Sequence, residues 1–108
     1  MAENVAELTS KEFTEFIKSG FVLVDFFAEW CMPCLMMGPV VEEMSHKFKG
    51  KIKFGKVDVS DQEEIARKFN VSSIPNFTLL KDGKMVQQFV GAMSEEDFEE
   101  KLKAAIKK

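Results

Sequence analysis

The chain has 108 residues, 45% of them hydrophobic, which suits one compact domain around a single core. Its formal net charge is -3, and its lysines are scattered among acids rather than gathered into a stripe, which argues against binding by phosphate neutralisation, so no nucleic acid partner is expected. No segment approaches the ~20 apolar residues that span a bilayer, and the opening MAENVAELTSKEF carries neither a basic nor an apolar leader region, so a cytoplasmic, membrane-free protein is expected.

In chain order, a short strand is predicted at Val5–Leu8. Thr9 and Glu12 then form a capping-box pair for a helix with Phe13, Phe16 and Ile17 on one face, ended by Gly20. FVLVDFF, residues 21–27, is nearly continuous apolar and reads as a strand buried on both faces, with one acid, Asp25, inside it. Helical spacing runs from about Cys34 to Phe48, with Leu35, Met37, Val41, Met44 and Phe48 toward the core and Pro39 as a source of a kink.

IKFGKVDVS, residues 52–60, reads as the next strand, and SDQE, residues 60–63, as the capping box of a short helix carrying Ile65, Ala66 and Phe69. FTLL and MVQQFV flank Asp82-Gly83, a hairpin signal. Ser94 and Asp97 cap a last helix whose buried stripe is Phe98, Leu102, Ala105 and Ile106. The order βαβαβαββα predicts a mixed sheet with helices on both faces.

The chemistry concentrates in EWCMPCLMM, residues 29–37. In a reducing cytosol a disulfide is usually transient and catalytic. A bridge between Cys31 and Cys34 also closes too short a loop to restrain the unfolded chain much. A cysteine just ahead of a helix lies near unpaired backbone N–H groups that favour the thiolate, and one turn later Cys34 shares its face. The pair therefore reads as Cys31 the nucleophile and Cys34 the resolver. A closed zinc site wants four ligands, and the chain offers two cysteines and one histidine, His46, which reads as a surface residue. Metal shared between two chains is the competing use of the thiols. No metal and no cofactor are expected within one chain.

DFFAEWCMPC, KVDV, SIPNF, KDG and VGAMS together, in this order and spacing, make the sequence similar to the thioredoxin family over essentially its whole length. The resemblance implies an α/β fold, the thioredoxin fold, with a central five-stranded mixed sheet flanked by four helices in a single domain over residues 1–108. It also implies a thiol–disulfide oxidoreductase that reduces protein disulfides as a monomer, recharged by a thioredoxin-reductase-type electron donor. Trp30, Cys31, Pro33 and Cys34 match the family's active-site motif, and Asp25, Lys56 and Pro75 match its buried acid, partner lysine and cis-proline.

Desolvation inside the strand would raise the Asp25 pKa and let it accept the proton that Cys34 must lose. In the family picture Ile74 pairs with an extended substrate, and Gly91 lets another chain approach closely. Trp30, Pro33, Val59, Ile74, Val90 and Ala92 would form an apolar docking rim. Met32 and Leu35 replace the family's usual glycine and lysine, which bears on redox poise and partner choice. Met36 is expected to fill a core gap. Two alternatives stand beside this reading: a glutaredoxin-like or isomerase-like oxidoreductase, marked by mixed disulfides with glutathione, and a binding or regulatory module on the same fold, marked by inert thiols.

Overall fold

The computed structural model describes residues 4–107. Residues 1–3, where the segment read above as lacking a leader begins, and residue 108 of the expected domain lie outside the described residues. The elements run β1 (Val5–Glu7), α1 (Ser10–Ile17), β2 (Phe21–Phe27), α2 (Met32–Lys47), β3 (Ile52–Asp58), α3 (Glu63–Lys68), β4 (Asn76–Lys81), β5 (Lys84–Val90) and α4 (Glu95–Ile106). This is the α/β architecture expected, a five-stranded mixed sheet in the order β1-β3-β2-β4-β5 with four helices.

The parallel half of the sheet comes from the helix crossovers and the antiparallel half from the hairpin. β1 and β2 each pair parallel with β3, while β4 runs antiparallel to β2 and β5 antiparallel to β4. At the hairpin tip Asp82 and Gly83 take φ of 52° and 84°, the left-handed pair that a two-residue turn between twisted strands requires.

Side chains alternating along β2 divide the core in two. Leu23, with Phe77 and Leu79 of β4, packs against Met37, Val41 and Met44 of α2 and Phe98 and Leu102 of α4. Val22, Val24 and Phe26 pack on the other face against Phe13 and Ile17 of α1 and Ile65 of α3. Burying each such side chain stabilises the fold by about 1.5–3 kcal/mol, so both faces anchor β2 as the central strand. Among the described residues, no helix is long and apolar enough to cross a membrane.

Local chemistry explains most boundaries. Thr9 caps α1 reciprocally with Glu12, as its spacing predicts. The Ser94 hydroxyl accepts the Asp97 N–H at the start of α4. Three expectations need correction. α2 begins at Met32, two residues early, because Cys31 takes the N-cap position. β3 ends at Asp58 rather than residue 60.

The SDQE capping box does not form, and α3 starts after Gln62 with no side-chain cap. Its residues are engaged elsewhere: Ser60 N–H donates to Asp58 Oδ1, and Gln62 Oε1 accepts from Ser10 N–H. Phe16 and Ile106 are only partly buried at the margins of the two cores.

Candidate active site

The segment that follows β2 leads into the site. Ala28 is wholly buried, and its carbonyl accepts the Cys31 N–H at 3.2 Å, which folds the chain from strand into helix. Cys31 is extended, at φ −93° and ψ 105°, and its Sγ accepts the Cys34 N–H at 3.2 Å. Pro33 falls in the first turn, where its missing N–H leaves no helical bond unmade. The two sulfurs are joined in a disulfide across a Cα–Cα distance of 5.3 Å.

As whole residues the cysteines are equally buried. Their surroundings differ. Cys31 is the N-cap, with its sulfur on the Cys34 N–H of the first helical turn, while Cys34 lines a cavity of about 110 Å³ together with Asp25, Lys56, Phe27, Leu35 and Gly38. Such a cavity admits water, which needs roughly 10–15 Å³ of this kind of space.

Asp25 enters the cavity from the middle of β2, where its Cα partners are Lys56 on β3 and Phe77 on β4. It is 6% exposed, and its Oδ1 is buried with no hydrogen-bond partner. Burial pushes the carboxyl from an ordinary value of 3.8 up to about 7, against the opposing pull of the Lys56 ammonium. Lys56 is itself half-buried, its Nζ 5.4 Å from the centre of the Phe27 ring. Asp25, Lys56 and Cys34 are thus brought together, as their sequence positions alone do not require.

The remaining expected residues lie around the sulfurs on separate segments. The Ile74–Pro75 peptide bond is cis, and Ile74 packs against the Ala28, Cys31 and Cys34 cluster beside Val59. Gly91 N–H donates to the Pro75 carbonyl at 2.8 Å, which ties the chain after β5 to this loop. Gly91 has φ of 99°, a conformation that side-chain-bearing residues avoid, and a Cβ there would meet nothing within 4 Å. Ala92, Pro33 and Val90 are exposed, and Trp30 is the most exposed large apolar residue of the set.

Two expectations about apolar residues fail. Leu35 and Met36 were assigned to the core and instead face solvent. α2 presents Cys34, Met37 and Val41 inward, which rotates residues 35 and 36 outward by the helical period. Sequence reading also missed how Trp30 is held. Its indole N–H donates to Ser60 Oγ at 3.3 Å, and Ser60 N–H in turn donates to the buried Asp58, so an exposed ring is fixed from beneath. The signal was available in DVS at the end of β3, an acid two residues before a hydroxyl.

Comparison with known proteins agrees with this geometry. The family model for thioredoxin matches residues 4–104. A thioredoxin of Staphylococcus haemolyticus is 42% identical over 98 residues, covering 91% of this chain and 94% of that protein. A thioredoxin of Bacillus subtilis is 40% identical over 96 residues, covering 89% and 92%. Among solved structures, a chain from work on thiol resolution in yeast mitochondrial 1-Cys peroxiredoxin by glutathione and thioredoxin systems superposes with a TM-score of 0.85 at 30% identity, covering 95% of this chain and 97% of that one. With a disulfide-linked Cys-x-x-Cys at the N-terminus of α2, Trp30 beside it and this fold beneath it, the chain belongs to the thioredoxin family and is a thiol–disulfide oxidoreductase.

Proposed function

We propose that the chain reduces protein disulfides with Cys31 as the attacking sulfur, Cys34 as the resolving sulfur and Asp25 as the acceptor of the Cys34 proton. One observation carries this division of labour: Cys31 Sγ accepts the Cys34 N–H at the start of α2, whereas Cys34 shares a cavity with Asp25, whose buried Oδ1 has no hydrogen-bond partner.

In the dithiol form, Cys31 as thiolate attacks one sulfur of a substrate disulfide. That bond breaks, and the departing substrate sulfur takes a proton from solvent. Cys34 then passes its proton to Asp25 through water and attacks Cys31, and the bond from Cys31 to substrate breaks. The substrate has gained two electrons and two protons, and the chain is left with the Cys31–Cys34 disulfide. A reductase of the thioredoxin-reductase type returns the electrons.

Lys56 favours the charged form of Asp25 and so keeps its pKa near neutrality rather than higher. Trp30, Pro33, Val59, Ile74, Val90 and Ala92 form the docking rim, with Pro75 and Gly91 shaping the backbone beside it, and an extended substrate segment lies along the Ile74 backbone. The scattered charge and the confinement of both cysteines to the redox pair support action as a monomer in a reducing cytoplasm, away from nucleic acid and membrane.

The test is reduction of insulin disulfides with dithiothreitol as electron source. Activity should vanish in Cys31→Ala and be lost almost completely in Cys34→Ala, while Cys34→Ser should accumulate Cys31–substrate mixed disulfides. Iodoacetamide should label Cys31 of the reduced protein first. Unimpaired turnover in Cys34→Ala, or equal labelling of both sulfurs, overturns the assignment.

A further inference from the structure

Helix α2 is apolar on two sides. Its inner side gives Cys34, Met37, Val41 and Met44 to the core, and its first turns expose Met32, Leu35 and Met36. A helical stretch that is apolar all round is normally enclosed, yet residues 32–37 at the start of α2 are enclosed on one side only, and the open side begins at the residue next to Cys31. The methionines sort sharply by exposure. Met37 and Met44 are 2% and 0% exposed, and Met93 is partly buried with its N–H donating to Met37 Sδ at 3.4 Å. Met32 and Met36 are 65% and 70% exposed and stand four positions apart, so they adjoin on one helix face.

We infer that Met32 and Met36 are sites of reversible oxidation by peroxide-class oxidants, and that their sulfoxides weaken docking of disulfide substrates while leaving the thiol chemistry intact. The inference extends the docking rim proposed above onto this face, which starts beside Cys31 and continues the exposed apolar surface of Trp30 and Pro33, and it rests on that reading. In the disulfide form neither cysteine carries a free thiol, so an oxidant that has already closed the pair next meets these two thioethers.

In the reaction the thioether sulfur attacks one peroxide oxygen and the O–O bond breaks. A sulfur–oxygen bond forms, and the other oxygen leaves as water. Each methionine loses two electrons and the peroxide gains them. Reversal takes two electrons and two protons from a dithiol through methionine sulfoxide reductases and releases the oxygen as water. The change matters here because it turns a flexible apolar side chain into a strongly polar one, which resists transfer from water into an apolar contact.

Met85 serves as an internal control. It is 44% exposed but pairs with Leu80 at the end of the sheet remote from the Asn76–Val90 pair and the cis-proline. The disulfide form of the full chain would be treated with hydrogen peroxide, freed of it, and mapped by mass spectrometry. It would then be reduced with dithiothreitol and assayed on insulin with kcat and KM separated. Oxygen should appear at Met32 and Met36 ahead of Met37 and Met44, with KM rising roughly three- to tenfold and iodoacetamide labelling of Cys31 unchanged. Methionine sulfoxide reductases of both epimer specificities, driven by dithiothreitol, should restore KM. Met85→Leu should alter neither the loss nor its recovery.

In Met32→Leu/Met36→Leu, treated and untreated protein should share one KM. A peroxide effect that persists in that variant, or oxidation of Met37 and Met44 as fast as of Met32 and Met36, overturns the inference. Met32→Gln/Met36→Gln separates the two readings. An ordinary KM there means that this face does not dock substrate, and both fall. A raised KM there, with peroxide leaving Met32 and Met36 untouched, keeps the docking reading and overturns the oxidation alone.

Discussion

Two polar groups are buried in the central strands on opposite faces of the sheet, and they are treated in opposite ways. On the face covered by α1 and α3, Thr78 is wholly buried and fully engaged. Its hydroxyl donates to Asn76 Oδ1 at 2.8 Å and accepts from the Gln88 amide at 3.0 Å, and the same amide donates to the Phe69 carbonyl at 2.9 Å. On the face covered by α2, Asp25 has one oxygen with no partner. The network joins β4, β5 and the end of α3 without strain on the energy balance. The carboxylate, by contrast, is held where its charge is poorly solvated, which destabilises the fold and makes the group a base near neutral pH. A core can therefore satisfy polar groups where they are structural and leave one unsatisfied where it must exchange a proton.

The largest test of this contrast is Asp25→Asn. The unfolded chain releases this proton near pH 4, whereas the folded chain keeps it to about 7. Below pH 4 both states hold the proton and the group costs nothing. As pH rises the unfolded state is favoured, by about 1.4 kcal/mol per pH unit, up to roughly 4 kcal/mol above pH 7. Asp25→Asn should remove this slope and be more stable than the parent by a few kcal/mol at pH 8, less whatever its buried amide costs, with little difference at pH 4. Glu12 and Glu99, held below the ordinary range by hydrogen bonds to Thr9 and to Lys47, act in the opposite sense in both proteins, so the difference between parent and variant in urea titrations isolates Asp25. The same variant should form mixed disulfides at the parent's rate and resolve them more slowly near pH 7. Equal resolution at every pH would leave Asp25 a packing residue only.

Thr78→Val makes the complementary break and should give a smaller effect of the opposite sign. The methyl that replaces the hydroxyl fits the site but strands Asn76 Oδ1 and part of the Gln88 amide, which costs about 1–3 kcal/mol. Insulin reduction under conditions where the variant is folded should be unchanged, because nothing in this network reaches the sulfurs. A variant as stable as the parent would mean that the chain already solvates these groups another way.

How much of this was legible in the sequence depended on whether the deciding interaction was local. The Thr9–Glu12 cap, the Asp82-Gly83 turn and the place of Cys31 just ahead of a helix are set within a few residues and were read correctly. The SDQE cap has the same local pattern as the first, but Ser60 and Gln62 are taken by Asp58, Trp30 and Ser10, partners that spacing along the chain does not reveal. Leu35 and Met36 were misplaced because α2 is apolar on both sides, and a 3.6-residue period then fails to say which side meets the sheet. The cis bond before Pro75 came from resemblance, not from its residues. That Asp25 is buried could be read from its strand; that one of its oxygens lacks a partner could not, because it depends on three elements meeting at one cavity.

Lys56 sharpens the comparison with the smallest effect. It is the counter-charge that restrains the Asp25 pKa, and it acts through half-buried space beside the Phe27 ring. Lys56→Met keeps the side chain's length and packing and removes only the ammonium. The carboxylate then loses its one opposing attraction, so the Asp25 pKa should move up from about 7. Below pH 4 the variant should match the parent in stability, since Asp25 is protonated in both folded and unfolded chains. Above the shifted pKa it should be less stable than the parent, because the buried carboxylate is now costlier, and this loss should disappear in the Lys56→Met/Asp25→Asn double variant. The pH midpoint for mixed-disulfide resolution should rise in step, with the plateau rate retained, since a more basic carboxylate still accepts the Cys34 proton once it is ionised. An unmoved midpoint would mean that solvent already screens Lys56, and that burial alone sets the basicity of Asp25.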